Sequence, residues 1–413
     1  MAYRVVGGKE LCGDILVSGS KNAALPILFA ALMIEEPVTL LGAPDIGDVR
    51  ETLSLFQKMG VSVQRKENTL SLCAKSIALP PPDAQEIVSL RASSYLLGAG
   101  LARFGEMRMR YPGGCNLGAR PLDIHRSVLC TLGAVWEERE GEISVLTNRL
   151  AGKSITLSYA SVGATVNTLL AATAAVGETV IRGWAREPHI SSLIRFLRCA
   201  GADITVRSEA ILIRGGKKLH GCRFHIIADD IEASTFLIGG AMLRSRLTVN
   251  GISLPSLSPV LTLFDRMGIH YRAGEESVTV LPSKARGVSI VCAPYPAFPT
   301  DLQPMAAVLL SSTEDGGRIT DRVWRERFAY LAELKKMGFA AERKCGSLYV
   351  RPSCLRGEYL FATDLRAGAA MMLAALSAEG ESVIETTHYI DRGYEDFLLK
   401  WKTLGAIAER LDR

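Results

Sequence analysis

Among all the side chains of this 413-residue chain, Cys115 stands in the setting best suited to chemistry. It lies in Tyr111-Pro112-Gly113-Gly114-Cys115-Asn116-Leu117-Gly118-Ala119-Arg120-Pro121-Leu122-Asp123-Ile124-His125, where prolines bracket the segment and three glycines loosen it. Most free cysteines are buried, inert thiols. Glycines on the N-terminal side and Arg120 close by instead describe an exposed, electropositive loop. There a thiol pKa moves down from about 8.5, so that the sulfur exchanges protons near neutral pH.

Two further stretches have the form of anion sites. Gly19-Ser20-Lys21-Asn22 precedes an apolar helix that starts near Ala23, so Lys21 and the free amides of the first turn can hold a phosphate. The competing reading is an ordinary N-cap serine followed by a solvated lysine. Ser161-Val162-Gly163-Ala164-Thr165 opens the helix running toward Ala174 in the same way. Two such sites suit two phosphorylated ligands. Arginines form a third group: Arg91 in LRASS, Arg327 in RERF, Arg366 in TDLRAG and Arg392 in IDRGYE. Arg366 and Arg392 follow an aspartate and precede glycine or Ala-Gly, a loop setting in which a guanidinium fork grips carboxylate or phosphate. Asp301, between two prolines in FPTDLQP, is either a proton acceptor for a hydroxyl or a helix N-cap.

The elements that must position these residues repeat six times. An amphipathic stretch, then Met/Leu-Gly or Ala-Gly, then a short alternating strand recurs around Gly60, Gly133, Gly201, Gly268, Gly338 and Gly405, at intervals of about 70 residues. A glycine just past a helix suits the left-handed C′ position. Between the glycines lies a second helix rich in small residues, as in TLLAATAAVGETVIRG and MMLAALSAEGESVIET. Ala- and Gly-rich helices permit close approach and lie inside a domain, which implies buried helices with sheets outside. Solenoid repeats run about 20 to 50 residues, so two compact domains of three units each is the better reading.

Composition narrows the function classes. With 48% hydrophobic residues the chain can bury large cores. The longest apolar run, Ala23 to Ile34, is too short for a bilayer and the N-terminus lacks a signal-peptide core, so a cytoplasmic location with no membrane span is expected. Nine cysteines without a C-x-x-C pair and six scattered histidines predict free thiols, no protein-bound metal and no cofactor. A net charge of +5 is too weak for nucleic acid but suits an anionic small molecule.

The motifs GSKNAALPILFAALM, LRASSYLLG, PGGCNLGARPLDIH, SVGAT, AREP, FPTDLQ, ATDLRAG and HYIDRGYE resemble, nearly end to end, the UDP-N-acetylglucosamine 1-carboxyvinyltransferases. The resemblance implies an α/β fold of two inside-out domains, residues 21–228 and residues 1–20 plus 229–413, with the substrates phosphoenolpyruvate and UDP-N-acetylglucosamine in the cleft between them and no obligate protein partner. It further implies Cys115 as general acid, Asp301 as acceptor of the hydroxyl proton, and Lys21, Arg120 and Arg392 as a phosphate cradle. Arg327 and Arg366 would neutralise carboxylate and phosphate, a division left open. Arg91, Arg120, Pro121, Leu122, Asp123, Ile124, Ser161, Val162, Gly163, Asp301 and Val323 match positions that hold the nucleotide sugar, and Asn22 one near both ligands. The related 5-enolpyruvylshikimate-3-phosphate synthases share the six-unit fold but lack the PGGC loop.

The chain also departs from the family pattern. Tyr159 stands where a lysine is usual, Asp230 replaces an arginine, Ser234 a glycine, and His189 a common acidic residue. The Cys115, Asp301 and arginine set is intact, which favours an active transferase; the alternatives are a nucleotide-sugar-binding paralogue without turnover and, disfavoured by the lack of a dense basic face, a nucleic-acid binder.

Overall fold

The computed structural model describes residues 1–113 and 121–411. These residues form two compact units, one made of residues 19–113 and 121–227, the other of Met1–Ser18 together with residues 228–411. Each has its own core. Phe29, Phe56 and Phe196 are fully buried in the first, and Phe236, Phe264, Tyr330 and Trp401 in the second.

The six glycine stops all take the left-handed conformation. Gly60, Gly133, Gly201, Gly268, Gly338 and Gly405 have φ of 97°, 104°, 96°, 72°, 91° and 98°. They follow the helices Gly47–Lys58, Asp123–Thr131, Pro188–Cys199, Ser258–Met267, Tyr330–Lys336 and Phe397–Thr403. The chain then turns directly into a strand, for example Ser62–Lys66 after Gly60 and Ile407–Leu411 after Gly405. A side chain with a Cβ would be strained at each stop, which is why the glycine recurs.

The second helix of each repeat is the buried one: Lys21–Ala31, Leu96–Phe104, Val162–Ala174, Asp230–Met242, Gln303–Ser311 and Leu365–Ser377. Along the last of these, every residue from Leu365 to Leu376 is buried. Small residues make this possible. A Cβ on Gly98 would come within 2.7 Å of Asn167 on the neighbouring helix, so the two backbones meet at glycine distance. Such helices bury apolar surface all round rather than on one stripe, and the sheets lie outside them.

The sheets follow one plan: a parallel pair of strands at one edge, then two antiparallel strands. In the first repeat Arg223–His225 runs parallel to Val38–Leu41, followed by Thr69–Cys73 and Ser62–Lys66. The second repeat shows three strands, Glu106–Arg110, Glu142–Leu146 and Val135–Arg139. The chain ends complete the scheme. Ala2–Val6 inserts between Glu381–Glu385 and Ile407–Leu411, with Tyr3 opposite both Ile384 and Arg410, and Cys12–Leu16 pairs in parallel with Arg246–Asn250. A repeat read along the sequence is therefore not a sheet read in space: among the described residues, three of the six sheets borrow a strand from a distant part of the chain. Among the described residues no helix is long and apolar enough to cross a membrane.

Candidate active site

In the unit that carries the C-terminus, a short 3-10 turn, Thr300–Leu302, presents Asp301 ahead of the buried helix Gln303–Ser311. Asp301 caps no helix, so the N-cap alternative falls away. Its carboxylate instead accepts hydrogen bonds from Arg327 Nη1 at 2.7 Å and from Arg366 Nη2 at 3.1 Å. Both guanidiniums are buried, at 5% and 2% exposure, whereas the Asp301 side chain keeps 30%. Burial by itself would raise the Asp301 pKa. The charges of Arg366 and Arg327, with their hydrogen bonds, outweigh it and hold the carboxyl well below the usual carboxylate range.

Arg366 lies not in a loop but in the first turn of the helix Leu365–Ser377, because Asp364 caps that helix by accepting from the amides of Arg366 and Ala367. Its guanidinium stacks 5.2 Å above the Tyr394 ring. Arg327 also donates to the carbonyl of Thr300 at 3.2 Å. Two of these buried donors, Arg327 Nε and Arg366 Nη1, have no hydrogen-bond partner among the described residues. An unpaired buried N–H costs about 1–3 kcal/mol, more on a charged group. A bound anion is the ligand chemistry that relieves it.

Asp321, which no sequence motif singles out, organises this corner. It is 2% exposed and accepts from the Thr300 hydroxyl at 2.6 Å and from the amides of Val323 and Trp324 at 2.9 Å each. One carboxylate thus fixes the residue before Asp301 and the turn carrying Val323 and leading to Arg327. A helix N-cap, Asp229, accepts from the amides of Ile231 and Glu232. Beside it, burial and then the charge of Asp229 push Asp230 up to about 7, against the lowering effect of Arg366. Arg392 terminates the short helix His388–Asp391, and Asp391 is tied to the Tyr3 hydroxyl at 2.9 Å and to Arg410 at 3.0 Å.

The other unit arranges its candidates around two helix starts. Ser20 caps Lys21–Ala31, its hydroxyl accepting from the Ala23 amide at 3.3 Å. Lys21, on the first residue of that helix, reaches Asp48 at 2.7 Å, and both side chains are largely buried at 14% and 7% exposure. Lys21 is therefore a held cation rather than a solvated one, and Asp48 is the partner that sequence spacing did not reveal. Asn22 follows it, half-buried. Ser161 caps Val162–Ala174 in the same manner, accepting from Ala164 at 3.3 Å. Gly163, in that first turn, faces the imidazole of His125, where an added Cβ would lie 2.9 Å from Cε1 and Nε2.

His125 is buried, and burial, with Arg91 as the next cause, pushes its pKa down to about 3. The imidazole is neutral. Its Nδ1 lies 2.7 Å from Asn167 Nδ2, while the Gly98 amide donates to Asn167 Oδ1 and Asn167 Nδ2 also reaches the Ser94 carbonyl. The amide orientation so fixed makes Nδ1 the acceptor and places the ring proton on Nε2. Pro121 and Asp123 are exposed, Leu122 is buried and precedes the helix Asp123–Thr131, and Ile124 is half-buried. Arg91 opens the 3-10 turn Arg91–Tyr95. Cys115 and Arg120 lie outside the described residues. Asp301, Arg327 and Arg366 thus form one hydrogen-bonded cluster in one unit, and in the other unit His125 faces Gly163 at one of the two helix starts, within reach of the Arg91 charge.

Comparison with known proteins places this geometry. Residues 5–401 match the family described as EPSP synthase (3-phosphoshikimate 1-carboxyvinyltransferase). The chain is 40% identical over 98% of both chains to UDP-N-acetylglucosamine 1-carboxyvinyltransferase of Halothermothrix orenii, and 37% identical over 99% of both to that of Escherichia coli O9:H4. The chain belongs to the UDP-N-acetylglucosamine 1-carboxyvinyltransferase family. Among solved structures, the enolpyruvyl transferase NikO from Streptomyces tendae superposes with a TM-score of 0.90 at 27% identity over 99% of this chain and 98% of that one. EPSP synthase from Acinetobacter baumannii, at 20% identity and a TM-score of 0.74, shares the fold. As a carboxyvinyltransferase-family chain it places its departures differently: Tyr159 is exposed, His189 and Ser234 are buried, and Asp230 sits beside the charged cluster of Asp229, Arg366 and Asp301.

Proposed function

We propose that this protein transfers the enolpyruvyl group of phosphoenolpyruvate to the 3′-hydroxyl of UDP-N-acetylglucosamine, releasing phosphate, in peptidoglycan precursor synthesis. The observation that carries the reading is the Asp301 carboxylate gripped by two buried arginines that each keep a donor without a partner among the described residues. That arrangement offers a hydroxyl acceptor and anion-binding groups within one hydrogen-bonded cluster.

In this reaction the methylene carbon of phosphoenolpyruvate gains a proton, the sugar hydroxyl adds to the resulting oxocarbenium-like carbon, and loss of a proton and of phosphate restores the double bond. The family role of proton donor to carbon falls on Cys115. Asp301 receives the hydroxyl proton. A carboxylate held so acidic is a weak base toward an ordinary alcohol, so transfer occurs late, once the attacking oxygen has bonded to the cationic carbon and become acidic itself. Substrate anions taking up Arg327 Nε and Arg366 Nη1 share the guanidinium charge and restore basicity to Asp301. Lys21 and Arg392 compensate phosphate charge with Arg120. Arg91, Pro121 to Ile124, Ser161, Val162, Gly163 and Val323 receive the nucleotide sugar, with Asn22 near both ligands.

The test is phosphate release with both substrates present, joined to mass detection of the enolpyruvyl nucleotide sugar. Release that needs both substrates and yields that product supports the reading. Tight binding of the nucleotide sugar without any product would mark the chain as a binding paralogue.

A further inference from the structure

The last turn of the helix Pro188–Cys199 packs against the segment Cys222–His225. Phe196 meets Phe224 edge-on with ring centroids 5.6 Å apart, and the Cys199 Sγ lies 3.7 Å from the carbonyl oxygen of Arg223, the residue next to Cys222. Cys199 is exposed and Cys222 half-buried. We propose that Cys199 and Cys222 form a reversible disulfide in the native fold, with a small-molecule disulfide such as oxidised glutathione as the oxidant. The inference is independent of the reaction proposed above.

The chemistry balances by two exchanges. The Cys199 thiolate attacks one sulfur of oxidised glutathione, giving a protein–glutathione mixed disulfide and one glutathione thiol. Cys222 then gives up its proton, attacks Cys199 Sγ and expels the second glutathione. The protein loses two electrons and two protons, and the oxidant becomes two thiols. The order of attack follows from the structure. Burial, and then the Cys199 sulfur beside it, push the Cys222 thiol up to about 12, so Cys222 keeps its proton while the exposed Cys199 meets the oxidant. Capping Cys199 as a neutral mixed disulfide removes its charge from beside Cys222 and eases the second step.

The bond would act on a segment with a structural task. Arg223–His225 is the parallel edge strand of the first repeat, and two residues beyond it the Ile227 carbonyl accepts the Ser20 amide at 2.7 Å, next to the cap of the helix that begins with Lys21. Tying Cys222 to the end of Pro188–Cys199 restrains this strand and the residues leading to that hydrogen bond.

The full-length protein, incubated with oxidised glutathione and then mapped by proteolysis and mass spectrometry, should yield a Cys199–Cys222 linked peptide lacking two hydrogens. The thermal midpoint should rise by several degrees and fall back on reduction. Amide exchange over residues 223–227 should slow several-fold in the oxidised form. In Cys222→Ser, Cys199 should stop at the mixed disulfide, and neither the midpoint nor the exchange should change. Glutathione on both cysteines separately, Cys199 linked to another thiol, or linkage without any slowing over 223–227 would each overturn the proposal.

Discussion

The two clusters of candidate residues hold their shape by opposite means. Around Asp301, order comes from charge: one carboxylate, two buried guanidiniums and a second carboxylate, Asp321, that gathers a hydroxyl and two amides. Around His125, order comes from neutral hydrogen bonds and close approach: a proton-free imidazole nitrogen against an amide, and a glycine where no Cβ fits. A charged cluster can trade partners with an incoming anion, because each ion pair it contains is replaceable by another of like sign. A neutral, tightly packed wall cannot trade partners, but it can present helix amides in a fixed position. The first arrangement suits groups that change charge during a reaction, the second groups that only receive a ligand.

Removing the pivotal carboxylate is the strongest way to break this contrast. Asp301→Asn keeps the shape but loses the proton acceptor, and turnover should fall about 100-fold or more while nucleotide-sugar binding changes little. Steady-state rates with calorimetric affinities decide it, and a fall below about threefold would reduce Asp301 to an anchor for the arginines. The matching break in the neutral wall is Gly163→Ala. Its Cβ must displace His125 or the helix start, so nucleotide-sugar affinity should drop about tenfold to 100-fold and stability by about 1–3 kcal/mol. Calorimetry and chemical unfolding measure both, and unchanged affinity would show that Gly163 packs the core without shaping the site.

Protonation sharpens the same contrast. Asp230 has its folded pKa raised to about 7 from 3.8, so the folded state binds the extra proton and stability is lost as pH rises through that window. His125 has its folded pKa depressed to about 3 from 6.5, so its contribution is present above 6.5 and is lost as pH falls toward 3. The two groups therefore respond to pH in opposite directions. Replacing Asp230 by Asn should remove about 1 kcal/mol of the stability loss between pH 6 and pH 8. Unfolding midpoints across that range test it, and identical pH profiles for variant and parent would place the Asp230 pKa outside the window. The smallest expected effect is at the exposed Tyr159: Tyr159→Lys should tighten UDP-N-acetylglucosamine binding a few-fold at low salt, with the gain shrinking as salt rises. Equal affinities at low salt would mean that the diphosphate charge is met elsewhere.

Much of this architecture was legible in the sequence because it is written in local terms. A helix that must end in a left-handed residue needs glycine, so six glycines at near-regular intervals marked six helix ends. Small-residue helices advertised their burial, and Ser20 and Ser161 advertised helix starts, because capping depends on residues three positions apart. TDLRAG reads as a turn, which puts Arg366 in a loop, until Asp364 is seen to cap a helix.

Residue types and spacing by themselves determined the repeat, the buried helices, the list of reactive side chains and, through motif resemblance, the family. Which strands complete each sheet was decided only in three dimensions, since Ala2–Val6 and Arg223–His225 pair with segments far away in the chain. The partnerships of charge were decided there too. Asp301 with Arg327 and Arg366, Lys21 with Asp48, and Asp321 with Thr300 join residues that lie 20 or more positions apart. The physical reason is that a chain's local preferences depend on neighbours a few residues away. The pKa of a carboxylate and the pairing of a buried cation depend instead on whatever the finished core brings within a few ångströms.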